Sequence, residues 1–157
     1  MPNKFKSFEH LLKPDPRFKS KLVGKFINCL MWEGKKTLAQ GIFYRAIDEV
    51  AKKIKDKDPL EIFTQAINNV KPAIEVRSRR VGGATYQVPV PVPQKRQISL
   101  AFRWVLGSVR GKKGRPTHVK LADEILHAFK GEGDAMKKRD DVHKMAEANK
   151  AFAHLAY

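Results

Sequence analysis

The chain has 157 residues, of which 42% are hydrophobic, and its 32 Lys and Arg against 16 Asp and Glu give a formal charge of +16. A length suited to one ordinary domain, with enough apolar residues to fill a core, excludes a disordered tail. An excess of positive charge on this scale indicates a polyanionic partner: nucleic acid, a membrane surface or an acidic protein.

The single cysteine and the short apolar runs limit the compartment and the mode of anchoring. Cys29 lies in the apolar run 26–32, so we expect it to be buried, and a disulfide within the chain is impossible. This run of seven residues is far shorter than the ~20 needed to span a bilayer. The N-terminus has no signal-peptide core. We therefore expect a protein of a reducing, soluble compartment with no membrane partner.

Apolar residues recur at helical spacing in the first half of the chain and predict three helices. The first stripe covers 22–31 and the second covers 39–54. The third helix opens with the run 58–61, which supplies an N-cap aspartate, a proline at the first helical position and a capping-box acid. Its buried stripe is predicted to end at Val70.

A β-hairpin is predicted from Gly82-Gly83, which lies between two runs of strand-favouring residues. Pairing about this turn places Arg79 opposite Tyr86. Neither face near the tip is apolar enough to be core, so we expect the hairpin to project and to find its partner outside the domain. Proline lacks an N–H donor, and the Val-Pro tract 89–93 is therefore interpreted as the place where strand pairing stops.

Three further helices are predicted after the hairpin. Apolar stripes indicate a fourth helix over 98–109 and a fifth over 119–129, joined by the basic loop 110–116. A sixth helix begins near Asp134, after a glycine-rich break. Its apolar stripe is weak, so we expect it to lean out of the bundle, with its far end ordered only by a partner.

Together these elements predict a mainly α fold. We expect a six-helix, bundle-like domain with one protruding β-hairpin between helices three and four and an extended C-terminal helix. A single domain over 1–157 would then comprise a basic N-terminal extension (1–18), the hairpin arm (73–91) and a C-terminal helix and tail (134–157).

Positive charge is concentrated in one part of the chain. The segment 71–121 contains twelve Lys and Arg and one acid, and so holds +11 of the +16. Concentrated charge indicates a docking face. Tyr86 among the hairpin arginines, and Trp104 beside Arg103, favour RNA because unstacked bases pack on aromatic rings and guanidinium planes. Packing in the core is the alternative role for Trp104.

The sequence contains no recognisable catalytic or metal-binding group. Its five histidines do not fall at metal-ligand spacings, and one cysteine cannot complete a zinc site. Phosphate-binding loops, nucleophile elbows and HExxH motifs are absent. The adjacent acid pairs Asp123-Glu124 and Asp140-Asp141 are interpreted as solvated charges. We expect a non-enzymatic protein with no cofactor, no metal and no small-molecule substrate.

Two other functional classes remain open on charge and helix content alone. A DNA-binding architectural protein would usually offer a recognition helix or a minor-groove wedge, and no clear helix-turn-helix is found. An enzyme acting on RNA would need a general base, which the sequence does not reveal.

Four blocks of the sequence are specific in combination: KPDPRF (13–18), KFINCLM with GKK (25–36), RSRRVGGATYQVP (77–89), and KKRDDVH with MAEANKAFAH (137–154). In this order and register they resemble the bacterial-type family of small-subunit ribosomal protein seven. The resemblance covers nearly the whole chain.

The resemblance implies a helical domain with a protruding hairpin and a role in translation. It implies a primary binder of small-subunit ribosomal RNA that nucleates folding of the subunit head. It also implies a position at the subunit interface, near the exit-site transfer RNA and the path of messenger RNA, with small-subunit proteins nine and eleven as neighbours. Because no transit peptide is present, a cytoplasmic ribosome is favoured over an organellar one.

Candidate RNA-binding residues are implied, position by position, by the resemblance and, for both the N-terminal extension and the loop 110–116, follow from charge. Those expected to bind ribosomal RNA are Lys4, Lys6, Lys35, Lys36, Arg77, Arg79, Arg80, Tyr86, Arg96, Arg103, Trp104, Arg110, Lys112, Lys113, Arg115, Lys138 and Arg139. Those expected near transfer or messenger RNA are Arg80, Gly82, Gly83, Tyr86 and Asn149.

Overall fold

A computed structural model describes residues 11–155. In this range the elements are α1 (Lys21–Leu30), α2 (Lys36–Lys53), α3 (Pro59–Val70), β1 (Ile74–Val81), β2 (Ala84–Pro91), α4 (Gln94–Gly111), α5 (Thr117–Lys130), α6 (Asp134–Ala148) and a short 3₁₀ helix, the C-terminal turn (Lys150–Leu155). The predicted mainly α fold, with one hairpin between helices three and four, is confirmed. Lys4 and Lys6 lie outside the described residues.

Helix starts follow the local chemistry of the sequence. Ser20 caps α1 by accepting a hydrogen bond from the N–H of Val23. Asp58 caps α3 by accepting from the N–H of Leu60, and Pro59 occupies the first turn, as predicted. No α-helix in the range 11–155 is long and apolar enough to cross a membrane.

The core is centred on four phenylalanines from four different helices. Phe26 of α1 lies 5.6, 5.2 and 5.1 Å, between ring centres, from Phe43 of α2, Phe63 of α3 and Phe102 of α4. All four rings are buried. Each such aromatic pair contributes about 0.5–1.5 kcal/mol beyond the burial of its area. This cluster joins α1 to α4 and gives the hairpin, which leaves between α3 and α4, a rigid base.

The first sequence block packs on the core through a buried carboxylate. Asp15 accepts hydrogen bonds from the N–H groups of Arg17 and Phe18 and from the hydroxyl of Tyr44 on α2, at 2.8 Å. Burial, followed by this hydrogen bond to Asp15, raises the pKa of Tyr44 to about 12. Gly24 permits the close approach, because a Cβ there would lie 2.8 Å from a backbone oxygen of this block. The block therefore has a structural role.

The expectation that α6 leans out of the bundle is wrong. Ala135, Met136 and Ala146 of this helix are buried, and small side chains let it approach its neighbours closely. The guanidinium of Arg139 donates to the backbone oxygen of Asn69 on α3 at 2.6 Å. At its far end, α6 leads into the C-terminal turn, which packs on β2. The chain itself therefore supplies the contacts that were expected from a partner.

The hairpin has the predicted register, including Arg79 opposite Tyr86, and its pairing extends to Pro91. Pairing therefore ends within the Val-Pro tract 89–93, as interpreted, but not because proline removes ladder donors. In this register the hydrogen-bonded pairs alternate, so Val88 and Val90 point their N–H groups towards β1, whereas Pro89 and Pro91 face the outer edge. The prolines therefore remove no ladder donor, and they deprive the outer edge of donors that another strand would need.

The hairpin has an exposed tip and a buried base. Residues 77–85 are exposed, whereas Val88, Val92 and Glu75 are buried. The predicted absence of a core face near the tip is therefore confirmed, whereas the base of the hairpin is buried. At the turn, Gly82 and Gly83 have φ of 58° and 89°, a left-handed backbone that glycine adopts without strain.

Cys29 is exposed, contrary to expectation. The buried positions of α1 are 23, 24, 26, 27 and 30, so Cys29 lies on the opposite face of the helix. Among residues 11–155 no group of three or more His, Cys, Asp and Glu is placed to hold a metal ion.

Candidate RNA interface

Five of the predicted RNA-binding cations have exposed side chains and no partner within residues 11–155. They come from the start of α2, the hairpin tip, α4, the α4–α5 loop and α6: Lys36, Arg80, Arg103, Lys113 and Lys138. An exposed cation that no carboxylate neutralises keeps its full charge for a phosphate. These five residues, called the open cations below, are the strongest candidates for phosphate contacts.

Other predicted cations hold the fold together, and the clearest case is at the hairpin base. The buried carboxylate of Glu75 accepts from Arg77 at 2.7 Å and from Arg96 of α4 at 2.8 Å. Burial by itself raises the pKa of Glu75, but the hydrogen bonds from Arg96 and Arg77 outweigh it, and the net pKa lies below its ordinary value. Each arginine side chain is still about half exposed. Both guanidinium groups can therefore anchor the hairpin and also face a solvent-borne partner.

The α4–α5 loop is attached to α6 by a buried ion cluster. Glu124 of α5 is fully buried and accepts from Lys112 at 2.6 Å, from the hydroxyl of Ser108 at 2.8 Å and from the N–H of Ala135 at 3.0 Å. Lys112 also lies 3.1 Å from Asp134. The interpretation of Glu124 as a solvated charge is therefore wrong. The sequence did not reveal its burial, because the partners of Glu124 lie far from it along the chain.

Charge pairing shifts two pKa values in this cluster. Burial tends to lower the pKa of Lys112, but the hydrogen bonds that Lys112 donates to Glu124 and Asp134 raise it overall. The hydrogen bond from Lys112 lowers the pKa of Asp134. Lys112 is thus held as an internal cation, whereas its neighbour Lys113 is exposed and belongs to the open cations.

Several remaining candidates also have partners within the chain. Arg110 donates to the backbone oxygens of Cys29 and Leu30 at the end of α1, where a cation complements the helix dipole. Arg115 lies 3.4 Å from Asp123. Lys35 pairs with Glu33 at 2.7 Å, in an exposed contact that contributes little stability. Arg139, bonded to α3 as described above, also pairs with Asp140 at 2.6 Å.

The C-terminal turn contacts two candidates on the hairpin. The rings of Tyr86 and Phe152 lie 5.3 Å apart between centres. Arg79 donates to the backbone oxygen of Leu155. Asn149 caps α6 immediately before this turn. The fold therefore brings Tyr86 and the Asn149 segment to one side of the hairpin, whereas Gly82 and Gly83 lie at its exposed tip.

The two tryptophans have different surroundings. Trp104 is half-buried and packs against the core, as the alternative role considered for it requires. Its neighbour Arg103 is exposed. Trp32 is 66% exposed, although no RNA-binding role was predicted for it. Its position outside the stripe 23, 26, 27 and 30 is the sequence signal that distinguishes it from the buried residues of α1.

Comparison with known proteins agrees with this arrangement. A family model described as ribosomal protein S7p/S5e matches residues 2–150. The small ribosomal subunit protein uS7 of Pseudothermotoga lettingae is 56% identical over 146 residues, which cover 93% of this chain and 94% of that protein. The proteins of the same name from Rhodopirellula baltica and Thermotoga maritima are each 58% identical, over 91% of this chain and 92% of their own length. The chain therefore belongs to the ribosomal protein S7p/S5e family.

Proposed function

We propose that this chain is a primary binder of small-subunit ribosomal RNA and that it nucleates folding of the subunit head. Membership of a family of structural ribosomal proteins makes it a non-catalytic component of the translation machinery. The observation that carries the RNA-binding part is the set of open cations on a chain of charge +16. Such cations gain free energy by releasing the counterions condensed on a phosphate backbone.

The proposed position is the subunit interface, near the exit-site transfer RNA and the path of messenger RNA. The exposed hairpin tip with Arg80, and Tyr86 beside the C-terminal turn, would face these RNAs. Small-subunit proteins nine and eleven would be its neighbours. The whole chain, 1–157, would act as one RNA-binding domain in the cytoplasmic ribosome, with the hairpin as its arm.

Binding to an RNA fragment from the small-subunit head tests this proposal. We expect the purified chain to bind that fragment at least tenfold more tightly than random duplex DNA at physiological salt, as measured by fluorescence anisotropy. Equal affinity for the two nucleic acids would contradict the proposal, since charge alone would then explain the binding.

A further inference from the structure

The surface between α1 and α2 has an exposed apolar floor formed by Trp32 and Leu38, and neither residue was predicted to bind RNA. Trp32 is 66% exposed and Leu38 is 60% exposed. Both line a depression of about 590 Å³, which also borders α4. This volume falls in the range of about 300–1,000 Å³ that is typical of sites for small organic groups. Large apolar side chains left open to water in this way mark a place where a partner binds.

The rim of this depression is positively charged. The guanidinium carbon of Arg110 lies 5.1 Å from the centre of the Trp32 ring, and its hydrogen bonds to the end of α1 hold it there. Lys35 and Lys120 also line the depression, and its one lining acid, Glu33, pairs with Lys35. A fixed cation thus covers one side of the indole, and the large exposed fraction of the ring leaves another side open.

We propose that Trp32, Leu38 and Arg110 form a shelf on which one unpaired nucleobase of RNA stacks. A nucleotide matches both properties of the shelf: its base offers a flat π-face to the indole, and its phosphate offers negative charge to the lysines on the rim. An apolar side chain of a protein partner would match only the floor and would not neutralise the net positive charge of the rim. This inference rests on the proposed RNA-binding function and identifies a base contact within it.

The emission of Trp32 provides a direct test, because the chain has two tryptophans. In a Trp104→Phe variant of the full chain, Trp32 is the sole tryptophan, and we expect its emission to be quenched as the head RNA fragment saturates the protein. The difference in emission between the unmodified chain and Trp32→Phe gives the same information if the core does not tolerate Trp104→Phe.

The affinity of Trp32 variants for the RNA fragment distinguishes stacking of a base on Trp32 from simple proximity of the RNA. We expect Trp32→Ala to weaken binding of the fragment about tenfold, because base–aromatic stacking contributes about 1–3 kcal/mol per base. The log–log salt slope should stay the same, since no charge is removed. Trp32→Phe, which keeps a ring, should retain most of the affinity. Met145→Ala, which removes an exposed apolar side chain from α6, is the matched control and should change the affinity less than twofold.

The outcomes distinguish this inference from the function on which it rests. Tight binding of the fragment with unchanged Trp32 emission would overturn the shelf, point to a protein partner there, and leave RNA binding intact. Quenching without any loss of affinity in Trp32→Ala would also overturn it. Failure of the unmodified chain to prefer the fragment over duplex DNA would instead contradict the RNA-binding proposal itself.

Discussion

Glu75 and Arg96 join the base of the hairpin to the first turn of α4, with the Nε of Arg96 lying 2.8 Å from both carboxylate oxygens of Glu75. Arg77, two residues nearer the hairpin tip on the same strand, donates to the same carboxylate. Because an isolated two-stranded hairpin is marginal in water, contacts of this kind must fix its direction. The direction of the arm is therefore set by an ion cluster as well as by the buried Val88.

Replacing Glu75 by Gln should weaken the hairpin base. The neutral amide keeps the shape but loses the charge that both arginines approach. We expect the free energy of unfolding to fall by about 1–2 kcal/mol, a value at the low end for a charged hydrogen-bonded group because both arginines are half exposed. Urea unfolding monitored by circular dichroism measures this loss. Stability equal to that of the unmodified chain would show that Glu75 does not anchor the arm.

The same pair predicts a dependence on pH. The pKa of folded Glu75 lies below its ordinary value of about 4.3, so its stabilising effect is present above that pH and is lost as the pH falls through the folded pKa. The difference in free energy of unfolding between the unmodified chain and Glu75→Gln should therefore shrink below about pH 4. A difference that stays constant from about pH 7 to pH 3 would contradict this assignment.

Replacing Phe152 by Ala should loosen the hairpin while sparing the helical core. Phe152 contacts Tyr86 and lies in a turn that also accepts a hydrogen bond from Arg79, so its loss removes support from one side of β2. We expect amide exchange in the hairpin to become faster, with a loss of about 0.5–1.5 kcal/mol for the aromatic pair. Hydrogen exchange measured by mass spectrometry checks this, with the peptides of α2 and α3 as internal controls. Unchanged protection of β2 would show that the C-terminal turn does not steady the arm.

Lys112 and Lys113 form a matched pair, because they are neighbours in sequence with different surroundings. Lys113→Ala should leave stability unchanged, weaken RNA binding, and lower the magnitude of the salt slope by about 0.7–0.9, the value of one phosphate contact. Lys112→Ala should instead lower the free energy of unfolding by about 1.5–3 kcal/mol, because it leaves the buried carboxylate of Glu124 without its cation, although the Lys112 side chain is itself 38% exposed.

Thermal unfolding and anisotropy titrations on both variants measure these effects. If Lys113→Ala lost stability while Lys112→Ala did not, the assignment of the two side chains would be reversed. If neither variant changed the salt slope, neither Lys112 nor Lys113 would contact phosphate.

Gly24 and Gly107 offer a second matched comparison, this time for the first sequence block. A Cβ at Gly24 would lie 2.8 Å from the backbone oxygen of Lys13, which cannot move as a flexible side chain would. Gly24→Ala should therefore destabilise the protein by about 1–3 kcal/mol. Gly107→Ala on α4, where a Cβ meets nothing within 4 Å, should be neutral or stabilising by up to about 1 kcal/mol. Equal stability of the two variants in thermal unfolding would show that the block 13–18 is not packed on α1.

Local signals in the sequence were sufficient to predict most of the fold. Asp58 and Pro59 mark the start of α3, and the glycine pair sets the hairpin register, because both effects act over a few residues. The packing of α6 was missed because Ala135 and Ala146 add little to an apolar stripe, although small side chains suit close contact.

Long-range contacts account for what the sequence did not reveal about the candidate site. The burial of Glu124 depends on Lys112 and on the N–H of Ala135, which only the folded chain brings together. The sequence likewise does not distinguish the open cations from those engaged in ion pairs, since the same residue types, lysine and arginine, occur in both groups. Only the folded structure shows which side chains have partners. The exposure of Trp32 was overlooked because its apolar neighbours suggested a buried run.

Co-sedimentation with ribosomal subunits is the most direct test of the proposed ribosomal role. A tagged copy of the full chain, added during reconstitution of small subunits and separated on a sucrose gradient, should sediment with the small subunit and remain there after a moderate salt wash. A chain that stays at the top of the gradient, or that sediments equally with large subunits, would contradict this role.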